Sequence, residues 1–568
     1  MVQQLASKTK DNYKNLIEES GYGVVYTPPE LADFVSKIVI NEIKNDKSFV
    51  KKEKFIVLDP SCGENALLNS INRINNRKFN IDFIGVDVDK DVIDNNKKLY
   101  SGRHFIFDSF DSILPTNQIS TEHFWKLKFD SPNLIISNPP WSSNRIYDKN
   151  ILLEHGFTLS KGQYDSYELF IELCLNIVAD DGYCAFILPD SVFSDEKSNL
   201  RKLLLEKSSI KVIARLGEKI FEGVHRATTI IITKKCKPTK LTKTKCFRLA
   251  TNARKDYLNN NIDIYRHYIE VAHFVKQDRF CNNLNYNFDI DTQEQEELLI
   301  RKIEQNKIDW NSIFKFNRGV EISKQGLVIE CPYCGIAQGV SKKQINAGSK
   351  ICKNCSKIFQ FSKNNIESVI STSKEDNYTK IYVGENIQRY YLKGNKYIIK
   401  NKKGIDYKSK DIYMPPKILI RKTGLGINAC IDYDSTYISQ TVYSCNYIKE
   451  NDIPLEYYLG VLNSRVMYYY YLKLFGENEW KSHPYFTKEV VFCLPIRQID
   501  NTNMDICLEI ANLTKKIINN YSRDIDFQIE NLIYKLYNLT DNDIEIIKTE
   551  INKLPNLGAI NHMKYWNV

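Results

Sequence analysis

The sequence predicts an α/β protein: a doubly wound sheet in the N-terminal half, then a mixed α+β domain. Three observations predict it. Short apolar runs at 55–58, 83–86, 104–107 and 134–136 each run into a polar group, at Asp59, Asp87, Asp108 and Asn138. Helical patterning separates them, which is the rhythm of strand–helix–strand units. The second half then changes character, with shorter strands and two Cys-x-x-Cys pairs. At 568 residues the chain is too long for one core, so two or three domains are expected.

Phe55-Ile56-Val57-Leu58 reads as a buried strand. Asp59-Pro60-Ser61-Cys62-Gly63-Glu64-Asn65 makes a tight turn, and Ala66-Leu67-Leu68 opens a helix. Ligands of such sheets bind outside the carboxyl ends of the strands. Without a GxGxxG fingerprint a dinucleotide is not indicated, and an acid at the strand end suits a ligand with a cationic amine. The strand Phe83-Ile84-Gly85-Val86 ends in Asp87, with Asp89 close behind. A carboxylate there can accept both hydroxyls of a ribose. His104-Phe105-Ile106-Phe107 ends in Asp108. One acidic strand end is common, but an ordered series points to a nucleoside-type cofactor.

Leu134-Ile135-Ile136-Ser137 then runs into Asn138-Pro139-Pro140-Trp141. Each proline fixes its φ, lacks an N–H and holds the preceding residue extended, so the loop is stiff and rich in carbonyls. The Asn138 amide oxygen adds an acceptor and Trp141 a flat apolar face. A planar amine can be held there while its ring stacks on the indole, which suits chemistry on the exocyclic amine of a base. A chance Pro-Pro turn after a buried strand is the plain alternative.

Hydrophobic residues make up 43% and charged residues 26% of the chain, ordinary values for a soluble globular protein. No run approaches a membrane span, and MVQQLASKTKDNYKN has no signal-peptide core, so a cytoplasmic protein is expected. The net charge of +10 is uneven: residues 1–240 carry +1 and the remainder +9. A basic excess suits a polyanionic partner, or else a solvated Lys-rich surface. Of the 14 cysteines most are isolated in apolar settings, such as Cys174, Cys184 and Cys493, and read as reduced core thiols.

The order of these motifs resembles the S-adenosylmethionine-dependent amino-methyltransferases, and more narrowly the γ-class, Taq-type DNA adenine-N6 methyltransferases. The matching stretches are Tyr26-Thr27-Pro28-Pro29-Glu30, Asp59-Pro60-Ser61-Cys62-Gly63, Ile84-Gly85-Val86-Asp87, Asp108-Ser109-Phe110 and Asn138-Pro139-Pro140-Trp141. Trp141 stands where Tyr is commoner. The resemblance implies a Rossmann-like catalytic domain and a set of roles. Thr27 would lie near the methionine moiety of the cofactor, and Tyr26 also at the cofactor. Asp59 would neighbour its amino group, Asp87 its ribose and Asp108 its adenine amine, with Pro60, Cys62 and Gly63 also at the cofactor. Asn138 would adjoin the cofactor too, and with Pro139, Pro140 and Trp141 would form the catalytic loop. Asp181–Pro189 matches a late strand, and Phe221 a loop that helps hold a flipped base.

On that reading, hydrogen bonds from the adenine amine to the Asn138 side-chain oxygen and the Pro139 carbonyl would localise its lone pair. No metal, nucleophilic residue or strong general base is required. The target base must rotate out of the duplex, and Trp141 and Phe221 would recover part of that energy by stacking.

The segments Ile381–Ile387, Pro416–Gly424, Tyr458–Ser464 and Phe492–Ile496 resemble the target-recognition domain of Taq-type enzymes. Arg421, Lys422, Lys481 and His483 are candidate DNA contacts, with plain surface charge the alternative for each. Cys331/Cys334 and Cys352/Cys355 match the spacing of a Cys₄ zinc ribbon holding one structural Zn²⁺. The loop between them carries Lys342, Lys343 and Lys350. The ribbon departs from the plain Taq-type pattern. Its role is structural, or structural with DNA contact through Lys342 and Lys343.

The expected organisation is a catalytic domain over 1–240 and a connecting region over 241–310. A recognition domain follows over 311–500, with the ribbon at 329–358, and a helical segment over 501–568. The expected partner is double-stranded DNA, with a separately encoded restriction endonuclease as a further possibility. No membrane association is expected, nor a fused nuclease, since the motifs start by residue 26. The chain is expected to be a monomer. Asn-Pro-Pro-aromatic also occurs in RNA amine methylases and in enzymes that methylate glutamine in proteins, which usually lack a large C-terminal recognition module. A catalytically dead DNA-binding protein is the rival from another class, and the intact motif series argues against it.

Overall fold

The computed structural model describes residues 27–47, 55–75, 80–100, 104–142, 147–221, 226–293, 296–323, 325–424, 426–475 and 486–552. The chain divides into two compact units, Met1–Glu294 and Gln295–Val568.

The first unit is built on nine strands: β1 (Phe55–Asp59), β2 (Ile81–Asp87), β3 (Phe105–Ser109), β4 (Leu134–Ser137), β5 (Tyr183–Pro189), β6 (Ser209–Gly217), β7 (Thr228–Lys234), β8 (Lys243–Arg248) and β9 (His273–Lys276). They lie in the order β3-β2-β1-β4-β5-β7-β6-β8-β9. From β3 to β5 all neighbours are parallel, and β7 runs antiparallel between β5 and β6. Strands β1, β4, β5 and β7 are buried along their whole length. That explains unbroken apolar runs in place of alternation, because both faces of a central parallel sheet are covered. Ile56, Leu58 and Ile135 enter one core with helix Ser166–Ile177. Val57, Leu134 and Ile136 point the other way, into a core with helices Pro29–Asn45 and Ala66–Asn75. The sheet is therefore doubly wound, as expected.

The expected boundary at residue 240 differs from the structure. Strand β8 pairs with β6, β9 pairs with β8, and Cys246, Phe247 and Val275 are buried in the sheet's two cores. Residues 243–276 extend the sheet, and the first unit runs on to residue 294.

In the second unit a four-stranded antiparallel sheet takes the order Phe314–Arg318, Val442–Tyr447, Lys417–Arg421, Ala429–Asp432. Another four-stranded sheet joins Ile370–Ser371, Lys396–Ile399, Tyr378–Tyr382 and Tyr437–Ile438. The cysteine pairs lie between two smaller pieces: a three-stranded sheet over 327–330, 337–339 and 366–368, and a hairpin of Ser349–Ile351 with Ile358–Gln360.

The expected helical segment forms helices Met504–Asn519, Arg523–Leu536 and Asp541–Asn552, which pack into the core of the second unit. Ile510, Ile533 and Ile551 share one core with Ile418, Tyr443 and Leu459. A Cβ at Gly460 would meet Thr514 Oγ1 at 2.7 Å, so glycine is what lets helices Leu455–Leu462 and Met504–Asn519 close up. The buried Arg389 guanidinium donates to both carboxylate oxygens of Asp526 at 2.6 Å.

Candidate active site

Strand order reverses between β1 and β4, and ligand sites of doubly wound sheets form at the carboxyl ends of strands at such a point. Four polar groups predicted from the sequence lie at the ends of β1, β2, β3 and β4.

The β1 turn is fixed first. Asp59 is 2% exposed and accepts from the Ser61 amide at 3.0 Å, while Ser61 Oγ and Ser137 Oγ share a hydrogen bond of 2.7 Å. Burial pushes the Asp59 carboxyl up to about 7. The Ser61 amide and the Ser137 hydroxyl oppose this, and nearby Asp87 adds to it. A cationic group beside Asp59 would restore its charged form. Cys62 ties the turn to β2 by donating its N–H to Val86 O at 2.9 Å, and its own thiol is buried and pushed up, hence inert. Pro60 O accepts from Ser112 Oγ at 2.6 Å. Gly63 has φ +46°, and a Cβ there would meet nothing within 4 Å, so the turn needs glycine for its backbone and leaves open space beside it.

Asp87 accepts from Gly63 N at 2.8 Å with one oxygen and from Asp89 N at 3.0 Å with the other. Two amides orient the carboxylate, and each oxygen keeps a lone pair for a further donor such as a hydroxyl. Asp89 caps helix Lys90–Leu99. Asp108 accepts from Ser109 N at 2.8 Å and pairs with Lys128 Nζ at 2.7 Å. Burial pushes its pKa up, but the Lys128 ammonium and the Ser109 amide outweigh that and hold it below the usual range.

At the end of β4 the Asn138 amide donates to Thr27 Oγ1 at 3.0 Å. Two proline-stiffened stretches, 27–29 and 138–140, therefore meet through their polar side chains. The loop is clamped from behind. Ser166 Oγ donates to Pro140 O and accepts from Ser142 N, and Ser166 N donates to Ser142 O at 2.9 Å. The exposed Arg226 donates Nη1 to Trp141 O at 2.7 Å. Ser166 and Arg226 are site residues that sequence reasoning missed. They lie 24 to 85 residues from the loop positions they hold, and no local pattern marks them.

Trp141 departs from the expected open stacking face. It is 4% exposed, donates Nε1 to Ile187 O at 3.4 Å and meets the buried Phe221 edge-on, with centroids 5.3 Å apart. The two aromatics lie against each other, so stacking a base on either requires the pair to part.

The four cysteines Cys331, Cys334, Cys352 and Cys355 come together with all four sulfurs within 4.8 Å of one another. Cys331 and Cys355 sulfurs are 3.8 Å apart, and Cys334 and Cys352 sulfurs 3.6 Å. Tetrahedral Zn–S bonds of about 2.3 Å place sulfurs roughly 3.8 Å apart. Each knuckle turns on a left-handed residue after its second cysteine, Gly335 at φ +67° and Ser356 at φ +59°. Amides of Cys355 and Asn354 point at Cys352 Sγ and pull that thiol down to about 6.

Of the expected DNA contacts, Lys342 and Lys343 are exposed at the start of helix Lys342–Ala347. Lys350 is buried and donates to Gly339 O at 3.0 Å. Lys422 is also buried, with its ammonium 4.8 Å from the Tyr443 ring centroid, so it serves the packing of the unit. Arg421 ends its strand half-buried. Tyr26, Lys481 and His483 lie outside the described residues.

A family model described as N-6 DNA Methylase matches residues 12–297, and one described as TaqI-like C-terminal specificity domain matches residues 379–496. The chain is 32% identical over 238 residues to type II methyltransferase M.BanIII of Aneurinibacillus aneurinilyticus, covering 39% of this chain and 40% of that protein. It is 28% identical over 192 residues to type II methyltransferase M.AccI of Acinetobacter calcoaceticus, covering 32% of each. The match thus spans less than half the length of these relatives. Among solved structures, the type IIL restriction-modification enzyme MmeI in complex with DNA shares the fold at a TM-score of 0.51 and 12% identity, covering 94% of this chain and 77% of that one.

Proposed function

The chain belongs to the N-6 DNA methylase family, with a TaqI-like C-terminal specificity domain, and from that premise we propose that it methylates the N6 amine of adenine at specific sites in double-stranded DNA. The observation that carries the proposal is the Asn138 loop, stiffened by two prolines, clamped by Ser166 and set at the strand-order reversal beside Asp59 and Asp87.

The donor set suits S-adenosylmethionine. Buried Asp59 calls for a cationic partner such as an amino group, Asp87 has oriented acceptors for ribose hydroxyls, and the Gly63 turn leaves space for a ligand. Thr27 and Asp108 would complete the site, Asp108 sharing its carboxylate between Lys128 and an adenine amine. When bound, the cofactor supplies an already activated methyl group. The chain's own task is then to orient and polarise the acceptor. Asn138 and the Pro139 carbonyl accept the two N–H bonds of the target amine, which localises its lone pair and stabilises the positive charge that develops there. Clamping by Ser166 and Arg226 holds those acceptors in place before the base arrives, so little reorganisation is left for the reaction. The target base is rotated out of the duplex, and Trp141 with Phe221 receives it after the two rings part.

The cysteine cluster holds one structural Zn²⁺ in this reading, supported by the sulfur spacing. The enzyme works in the cytoplasm as a monomer, either beside a separately encoded endonuclease or alone as an epigenetic methylase. No described helix is long and apolar enough to cross a membrane. Incubation with methyl-labelled S-adenosylmethionine and DNA, RNA or protein tests the reading. Label in DNA is the expected result, and label in RNA or protein alone would overturn it in favour of the rival amine or amide methylases.

A further inference from the structure

The cysteine module carries a surface that a purely structural staple does not need. Between Glu330 and Glu367 the sequence has six lysines, Lys342, Lys343, Lys350, Lys353, Lys357 and Lys363, and no Asp or Glu. Only Lys350 is buried, and the other five are exposed. A Cys₄ zinc centre carries a charge of about −2, so the module stays positive by roughly four charges.

An apolar ridge runs through this basic field. Ile351 and Ile358 are direct cross-strand partners on the outer face of the hairpin, 61% and 68% exposed. Lys357, next to Ile358, places its ammonium 4.8 Å from the ring centroid of Tyr333, which is 58% exposed. Single exposed apolar side chains are ordinary, but Ile351 and Ile358 face each other across the strands, and Lys357, beside Ile358, reaches Tyr333, so the apolar surface lies among lysines. A protein partner could cover the ridge, yet the absence of any carboxylate across 36 residues favours a polyanion.

We propose that this face lies against duplex DNA, with the lysines on phosphates and with Tyr333, Ile351 and Ile358 on the sugars and base edges of the minor groove. Apolar side chains enter that groove readily, while phosphate contacts fix position and carry no sequence information. The module would then grip DNA without choosing its sequence. This rests on the DNA-methylating reading above.

The test compares full-length wild type with two double variants, Lys353→Gln/Lys357→Gln and Ile351→Ser/Ile358→Ser. The probe is a mixed-sequence duplex of about 40 base pairs, titrated at roughly 50–200 mM salt. The lysine variant should flatten the slope of log Kd against log salt by about two units. The isoleucine variant should weaken binding about tenfold with an unchanged slope. Both should keep the wild-type zinc content, and if the isoleucine variant loses its zinc, the lysine variant decides. Unchanged affinity and slope in folded variants of a wild type that does methylate plasmid DNA would overturn this inference alone. A wild type that neither binds nor methylates DNA would overturn the functional reading as well.

Discussion

Asn138 and Asp59 show how far single residues carry the argument. In the proposed mechanism Asn138 acts on the acceptor, so Asn138→Ala should lower methyl transfer by at least about 100-fold, the scale of losing one preorganised polar contact at a reacting centre. Cofactor affinity should hold, and single-turnover kinetics beside calorimetric titration separate the two. Asp59 should give binding a pH dependence. Its folded pKa of about 7 lies above the unfolded value of about 3.9, so the protonated form is favoured in the fold. That contribution to stability is present at low pH and is lost as pH rises through about 7. A cofactor ammonium reverses the preference, so cofactor binding should release a proton and tighten between about pH 6 and 7.5. Above that the α-amino group, at about 7.7–8.0, begins to lose its own charge. Asp59→Asn should flatten the rise, and an equal slope in both proteins would remove Asp59 from the site. Trp141→Ala should weaken capture of the extruded base by about 1–3 kcal/mol, read with a fluorescent adenine analogue at the target position. Fluorescence that stays quenched with active enzyme would argue against flipping.

At the scale of elements, the strand ends were legible because burial and chemistry share one signal. An apolar run long enough for a strand stops where a carboxylate or amide is needed, and β1, β2 and β4 end within a residue or two of Asp59, Asp87 and Asn138. The cysteine knuckles were legible for a similar reason, since metal geometry dictates short spacing. Cys352→Ser should therefore drop the zinc content from about one per chain to below about half and loosen the module. Cofactor binding by the first unit should be unaffected. Full zinc in that variant would contradict the four-cysteine site. The clamp on the Asn138 loop was not legible, because Ser166 and Arg226 reach it only through the tertiary fold. The burial of Lys422 was hidden likewise: its neighbour Tyr443 comes from the adjacent strand of the sheet.

At the scale of the whole molecule, the two-part organisation was legible from the change in patterning, but its boundaries were not. Strands β8 and β9 look like a connection in sequence because the helices between and around them are polar and short. Strand β8 joins the first unit by pairing with β6, and β9 by pairing with β8, which no local pattern records. The C-terminal helices have an amphipathic rhythm that fits an appendage equally well. Their place in the second unit is fixed by the Arg389–Asp526 pair and by the Gly460–Thr514 approach. The central claim, that the Asn138 loop acts on the exocyclic amine of adenine in duplex DNA, is tested most directly by identifying the modified atom. DNA treated with wild-type protein and S-adenosylmethionine is digested to nucleosides and resolved by mass spectrometry beside DNA treated with Asn138→Ala. The account predicts N6-methyladenine with the wild type and none above background with the variant. A methylated cytosine, or equal N6-methyladenine from both proteins, would contradict it.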